Sequence, residues 1–459
     1  MSVALRLSDG GYMRQADIEH IIRMLCGARC VEVTGFSNVG KSSLMRLLAQ
    51  ADVWLHHLGE EGGSFLPVYI DCNRILDMSD QGFYELVLRC LRESSPALAA
   101  DAALQTAYEG LVAPTNDFQV PLNFSNGLTA ALQNSHFNLI LLFDEFDEPF
   151  QEIDPRVFLN LRAKKDLFGN RLVYVTATVW PLAELWPGEH SGEFGELFSH
   201  QPWHLGPLPH HDVEHYIRSF AEHNDVELSP QDVDFAFQWT GGHPGYLEGV
   251  SKLLGGAAAE LGRQRDDEKG RWALHRDLAD QLRQDPTLHT ESEKIWYSCM
   301  PEHQDVLRSL FSGRDTDSAG TALLMKHHIL VTVKEELRVF SRLFAEYVLA
   351  FQTDTGSSER PHVEFKGGEF CVEGRQVELS RLEIRLMTLL YEKRNRTVEK
   401  FEIVMEVWGE NYLNDVDDAR IEKLVSRLRQ KIEPDPANPV LIVTMRGRGY
   451  RLQVESGGP

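Results

Sequence analysis

The residues Gly35-Phe-Ser-Asn-Val-Gly40-Lys41-Ser42 fit the spacing G-x-x-x-x-G-K-[ST]. Glycines at those positions let a backbone turn tightly and aim its amides at phosphate oxygens, and a helix that starts there adds its partial positive end. The context suits that chemistry. The apolar run Val31-Glu-Val-Thr precedes the motif, and an amphipathic stretch, Ser43-Leu-Met-Arg-Leu-Leu-Ala, follows it. Gly35, Asn38, Val39, Gly40, Lys41, Ser42 and Ser43 are therefore candidate residues for ATP or ADP. Lys41 would neutralise β- and γ-phosphate charge, and Ser42 would ligate Mg2+. A second motif, Leu139-Ile-Leu-Leu-Phe-Asp144-Glu145, is an apolar run ending in two carboxylates, which a solvated face explains poorly. Asp144 is expected in the Mg2+ shell and Glu145 to polarise the attacking water. Asp147 and Glu148 extend the acidic run as solvated or supporting residues. In Val173-Tyr-Val-Thr176-Ala-Thr178 an apolar strand ends in a hydroxyl. Thr176 would sense the γ-phosphate there, although a threonine at a strand end is equally an ordinary structural choice.

Such residues converge only if a scaffold brings them together. At 459 residues the chain exceeds one ordinary core and predicts three or four domains. With 42% hydrophobic and 25% charged residues, it has the composition of a soluble globular protein. Up to about residue 205, short apolar runs alternate with helical patterns, the signature of a parallel sheet flanked by helices. The expected strands are Cys30–Thr34, Phe65–Asp71, Leu139–Asp144, Leu172–Thr176 and Gln201–Leu205. Residues 206 to 350 read as mostly helical, and Gln352 to Pro361 read as a polar linker before a last compact unit. The expected division is an α/β P-loop NTPase domain over 1–205, a helical lid over 206–260 and a middle domain over 261–351. The linker 352–361 and a C-terminal α+β domain over 362–459 complete it.

The longest uncharged apolar run, Phe137 to Phe143, falls far short of the roughly 20 residues of a membrane helix. The opening residues carry no basic segment followed by an apolar stretch, and the six scattered cysteines include no C-x-x-C, so the reading is cytoplasmic. Cys26-x3-Cys30 has no second Cys/His pair to complete a metal site. Net charge is −23, against general affinity for nucleic acid. From Arg360 onward, however, 17 basic residues balance 17 acidic ones, and Lys423 to Arg451 holds seven basic residues against two acidic. Contact with DNA would be made there, while the acidic body would repel DNA.

Taken together, the first 350 residues resemble the STAND and archaeal-type ATPases of the AAA+ branch. Asp144-Glu-Phe-Asp147-Glu is similar to that family's Walker B wording, and Gly11-Tyr-Met-Arg14-Gln-Ala-Asp resembles the segment against which adenine packs. Thr240-Gly-Gly-His243-Pro244 resembles the Gly-Gly-x-Pro element of the lid. The resemblance implies that Arg14, Pro244 and His243 face the nucleotide; the plain alternative is a proline opening a helix. Glu293 to Phe351 resembles the winged helix that follows such lids. No arginine finger is assignable, since Arg162 and Arg171 read equally as surface residues, and no repeat array follows. The expectation is a slow ATPase whose nucleotide acts as a conformational lock.

Residues His362 to Val454 resemble the OmpR/PhoB-type winged helix. A β-rich stretch, Val363–Leu379, leads into a helix whose start carries the capping box Ser380 and Glu383. Glu402–Gly409 fits the second helix and Asp417–Ile432 the recognition helix. Ile421, Leu424, Val425, Leu428 and Ile432 form its buried stripe, which leaves Lys423, Ser426, Arg427 and Gln430 for a major groove. Arg427 is the candidate for guanine because its fork matches O6 and N7. Arg420, Arg429 and Lys431 read as phosphate contacts. The resemblance implies that the wing hairpin, Val440 to Leu452, offers Arg446 or Arg448 to the minor groove. Thr444, Trp408 and Tyr450 are candidates for backbone contacts, with packing as the other use of the last two. Leu424 stands where the family often has a polar phosphate contact. Three functions fit. The first is an ATP-dependent transcription regulator acting on double-stranded DNA, with RNA polymerase and a nucleotide-dependent homo-oligomer as further partners. The others are an AAA+ initiator or remodeller and a nucleotide-gated defence sensor, the last lacking any visible effector motif.

Overall fold

Short apolar strands separated by helices must run parallel, because each helix carries the chain back to the same end of the sheet. The computed structural model describes residues 6, 11–133, 136–185, 192–198, 202–261, 268–311, 318–355, 363–366, 369–372, 375–377, 379–394, 397–409, 418–433, 439–445 and 449–453. The chain divides into two compact units, 1–348 and 349–459. In the first, β1 (Val31–Thr34), β2 (Phe65–Asp71), β3 (Asn138–Asp144), β4 (Leu172–Thr178) and β5 (Trp203–His204) form one sheet. Its order is β2-β3-β4-β1-β5, and every pair is parallel. All residues of β1 and β4 are buried, as expected for strands covered on both faces. The expected strands agree with these to within a few residues; β4 runs past Thr176 to Thr178. The shared strand direction gathers the ends of β1, β3 and β4 at one edge, which is where open α/β sheets place ligands.

Glu32 interrupts the apolar run of β1. It is 7% exposed, and its Oε1 accepts the Leu182 amide at 2.5 Å. Burial pushes its carboxyl up to about 7, against the Leu182 amide that lowers it, and nearby Glu184 adds to the rise. A carboxyl raised in the folded state stabilises the fold below its ordinary value of 4.5, and that contribution is lost as pH climbs through about 7. Glu32→Gln should therefore flatten the fall in stability over this window. At a pH of about 8 it should add about 3 kcal/mol, from the size of the shift. Thermal unfolding of both proteins across the window checks this; parallel pH profiles would refute it.

The helices His210–His223, Pro230–Thr240 and Pro244–Leu261 follow the sheet. After them come the helices Pro286–Ser298, Pro301–Phe311 and Ser318–Lys326, a hairpin of β6 (Leu330–Val333) and β7 (Glu336–Val339), and the helix Arg342–Thr355. That last helix corrects the expected linker: residues 352–355 are helical, and 356–361 lie outside the described residues.

In the second unit β8 (Val363–Lys366), β9 (Glu369–Val372) and β10 (Arg375–Gln376) form an antiparallel sheet. The helices Arg381–Glu392, Lys400–Val407 and Asp418–Ile432 follow, with β11 (Val398–Glu399), β12 (Ile442–Met445) and β13 (Gly449–Leu452) in the order β11-β13-β12. The stripe Ile421, Leu424, Val425, Leu428 and Ile432 is buried to 5% exposure or less. Each such side chain stabilises the unit by roughly 1.5–3 kcal/mol. In the capping box, Glu383 accepts the Ser380 amide at 2.8 Å.

Candidate functional site

The loop after β1 is shaped by close approach. The Gly35 amide donates to the Thr178 carbonyl at 3.1 Å, and a Cβ on Gly35 would meet Val39 at 2.8 Å and the Leu205 carbonyl at 2.9 Å. Gly40 holds φ +108 at the start of the helix Lys41–Leu48, and a Cβ there would come within 3.2 Å of the Arg14 guanidinium. Side chains at these two positions would thus collide with Val39, Leu205 or Arg14, and only glycine lets the loop pass so closely. Lys41 is 7% exposed and folds across the loop, with Nζ donating to the Gly35 carbonyl at 2.7 Å. The Ser42 hydroxyl reaches Asp144 Oδ1 at 3.2 Å and Glu145 Oε1 at 3.4 Å, joining positions 102 and 103 residues apart. Asp144 is 1% exposed, and its other oxygen accepts from the Tyr69 hydroxyl at 2.7 Å. Glu145 sits at φ +53, in the left-handed region that a glutamate enters at a cost, as residues at functional sites often do.

A cavity of about 700 Å³ opens beside this loop. Arg14, Asn38, Gly40, Lys41, Ser42, Ser43, Glu145 and Pro244 line it, and Met13, Leu208 and Tyr216 add an apolar wall. Ligand pockets commonly combine such a wall with a few convergent polar groups. Val39 is wholly buried behind the loop, and Asp144 reaches the site through Ser42.

The tertiary structure changes several assignments. Arg14 lines the cavity and also braces the loop: its guanidinium donates to the Val39 carbonyl at 2.5 Å and the Gly206 carbonyl at 3.0 Å. Its amide donates to Asp212 Oδ2 at 2.8 Å. His243 does not face the cavity. It is fully buried and stacked on Phe36, and its Nε2 lies 2.8 Å from the Ser37 carbonyl while Nδ1 accepts the Tyr246 amide at 3.3 Å. That pattern requires the neutral Nε2–H tautomer, and burial pushes the ring down to about 4. His243 therefore props the loop from behind. Thr176 is also displaced from the expected role. It pairs with Phe143 inside the sheet, so it shares the face of Phe143 rather than that of Asp144, and its hydroxyl is buried. The strand end belongs to Thr178, beside the loop. Arg162 is engaged by Asp166, Glu196 and the Glu193 carbonyl, and Arg171 donates to the Phe137 carbonyl.

Two residues of this region escaped the sequence reading, and a third was placed only loosely. Tyr69 and Glu291, which also lines the cavity, carried no local signal. Asp147, expected as solvated or supporting, accepts the Val179 amide at 2.8 Å; burial pushes it up to about 6, with Lys41 opposing.

On the second unit's helix Asp418–Ile432, Lys423, Ser426, Arg427 and Gln430 are exposed, as is Arg420. Two of the expected phosphate contacts also bond within the unit, Lys431 while remaining exposed. Arg429 donates through Nε and Nη2 to the Ile442 carbonyl at 2.9 and 2.6 Å and through Nη2 to Thr444 Oγ1 at 2.8 Å. Lys431 donates to Glu383 Oε2 at 2.7 Å, tying this helix to the capping box of the first. Tyr450 is 3% exposed and packs in the core, Trp408 packs against the same core, and Thr444 is exposed. Glu433, 8% exposed, accepts the amides of Val440, Leu441 and Ile442 at 2.7–3.0 Å and fixes β12 to the helix end. Arg446 and Arg448 lie outside the described residues.

Residues 11–355, about three quarters of the chain, match the family described as Novel STAND NTPase 1. Residues 374–452 match the family described as Transcriptional regulatory protein, C terminal. The sensory transduction protein RegX3 of Mycolicibacterium smegmatis is 39% identical over 82 residues, 18% of this chain and 35% of that protein. The uncharacterized transcriptional regulatory protein YrkP of Bacillus subtilis is 41% identical over 97 residues, 21% of this chain and 41% of that protein. The chain thus spans about a third to two fifths of the length of these curated relatives. Among solved structures, a Walker-type ATPase of Pyrococcus abyssi aligns with a TM-score of 0.44 and 12% identity, over 76% of this chain and 99% of that one. Among the described residues, no helix is long and apolar enough to cross a membrane.

Proposed function

The chain belongs to the Novel STAND NTPase 1 family and carries a transcriptional regulator's C-terminal DNA-binding domain, and from that premise we propose that it is a transcription regulator whose DNA binding is switched by ATP. The observation that carries the reading is the convergence of Lys41, Ser42 and Glu145 on one cavity beside a glycine-shaped loop, with Asp144 behind them on Ser42. The residues fit a nucleotide, since Gly40, Lys41, Ser42 and Ser43 line the cavity at the N-terminus of the helix Lys41–Leu48, where the partial positive end of a helix favours phosphate. In this reading Lys41 binds phosphate, Ser42 and Asp144 hold Mg2+, and Glu145 orients the attacking water. A bound Mg2+ would supply charge neutralisation at the transferred phosphate. The proposed switch needs only that nucleotide bind two conformations unequally. Turnover is proposed to be slow, so that nucleotide state persists long enough to be read.

The exposed face of Lys423, Ser426, Arg427 and Gln430 supports duplex recognition in a major groove. DNA affinity measured with ADP and with a non-hydrolysable ATP analogue tests the proposal; equal affinities would remove the switch. In the same assay Arg427→Ala should weaken the preferred sequence by about 1–3 kcal/mol. A loss equal on all sequences would make Arg427 a phosphate contact.

A further inference from the structure

The cavity beside the phosphate loop contains a carboxylate that the proposed chemistry does not use. Glu291 stands on the helix Pro286–Ser298, 253 residues from Asn38, yet its Oε2 accepts from Asn38 Nδ2 at 2.6 Å. Its Oε1 accepts from Lys294 Nζ at 2.5 Å. The group is tightly enclosed: the side chain is 11% exposed, and a Cβ on Gly245 would come within 2.7 Å of Oε2. Glu291 lines the same cavity as Lys41 and Ser42. A carboxylate held there repels any polyanion that enters, and screening is weak in a partly enclosed site. The next residue, Ser292, shares a 2.7 Å hydrogen bond with Tyr246 of the lid helix, and Trp296 one turn on is buried. Motion of Glu291 therefore moves a packed helix rather than a loose side chain.

We propose that Glu291 is a latch: its bond to Asn38 ties the helix Pro286–Ser298 to the phosphate loop, and phosphate competes with that bond. The inference rests on nucleotide binding at this loop and deepens it by naming how occupancy is transmitted to the region that follows the lid. Lys294 tempers the latch by sharing the charge of Glu291.

The test uses the full chain and a fluorescent ATP analogue. Glu291→Gln keeps the shape but exchanges the charge-assisted bond to Asn38 for a weaker neutral one. It should bind the analogue about ten-fold tighter, which is about 1.4 kcal/mol. Lys294→Gln, which bares the carboxylate, should bind several-fold more weakly. In the unaltered chain, nucleotide should speed hydrogen exchange at the amides of Leu288 to Trp296. If the unaltered chain takes no nucleotide, the nucleotide reading falls and the latch with it. If it binds, but Glu291→Gln gains no affinity or exchange in the helix is unmoved, the latch alone is overturned.

Discussion

Lys41→Ala should weaken ATP and ADP binding by about a hundred-fold or more and abolish any effect of nucleotide on DNA affinity. The expectation follows from what surrounds the ammonium group. Lys41 is 7% exposed, and its Nζ lies 2.7 Å from the Gly35 carbonyl, so it is already poised across the loop that would receive phosphate. The cavity wall also carries Glu145, Glu248, Asp285 and Glu291. Without Lys41, an incoming polyanion meets those carboxylates with less to offset them. Truncating one partner of a buried, hydrogen-bonded charge pair costs about 2–5 kcal/mol, and a hundred-fold corresponds to about 2.7 kcal/mol. Titration calorimetry on both proteins measures it, with thermal unfolding as the control for folding. Affinity like that of the unaltered chain would refute the phosphate role of Lys41.

Glu145→Gln should leave nucleotide affinity within a few-fold and slow hydrolysis by roughly 10²–10⁴-fold, the range general-base catalysis supplies. Glutamine keeps the shape and an acceptor oxygen for Ser42, which now lies 3.4 Å from Glu145 Oε1, but it cannot take a proton. The left-handed backbone at Glu145, φ +53, directs its side chain where a regular strand continuation would not. Single-turnover phosphate release separates this step from binding. A normal rate would remove Glu145 as the base and turn attention to Asp147, whose carboxyl is raised to about 6 by burial beside Lys41.

Much of this molecule was legible along the chain because the physics involved is local. Strand, glycine loop and helix follow one another within residues 31–48, so that succession of elements was readable from spacing alone. The helical period of 3.6 residues placed Ile421, Leu424, Val425, Leu428 and Ile432 on one face, and all five are buried. By the same period Lys423, Ser426, Arg427 and Gln430 were expected to be exposed, and they are.

What a side chain binds, once exposed or buried, was not legible, because long polar groups choose partners across the fold. Arg429 and Lys431, read as cations for DNA, also bond to Ile442, Thr444 and Glu383, the last 48 residues away. His243 looked like a nucleotide contact and instead holds the Ser37 carbonyl, 206 residues distant. Thr176 lost its expected role to the length of β4 and the alternation of its faces. Local sequence determined the elements and their order: glycine loop, paired acids, the helices after the sheet, basic helix. Tertiary structure decided which charges remain available, since a buried cation or carboxylate must find a partner wherever the fold provides one.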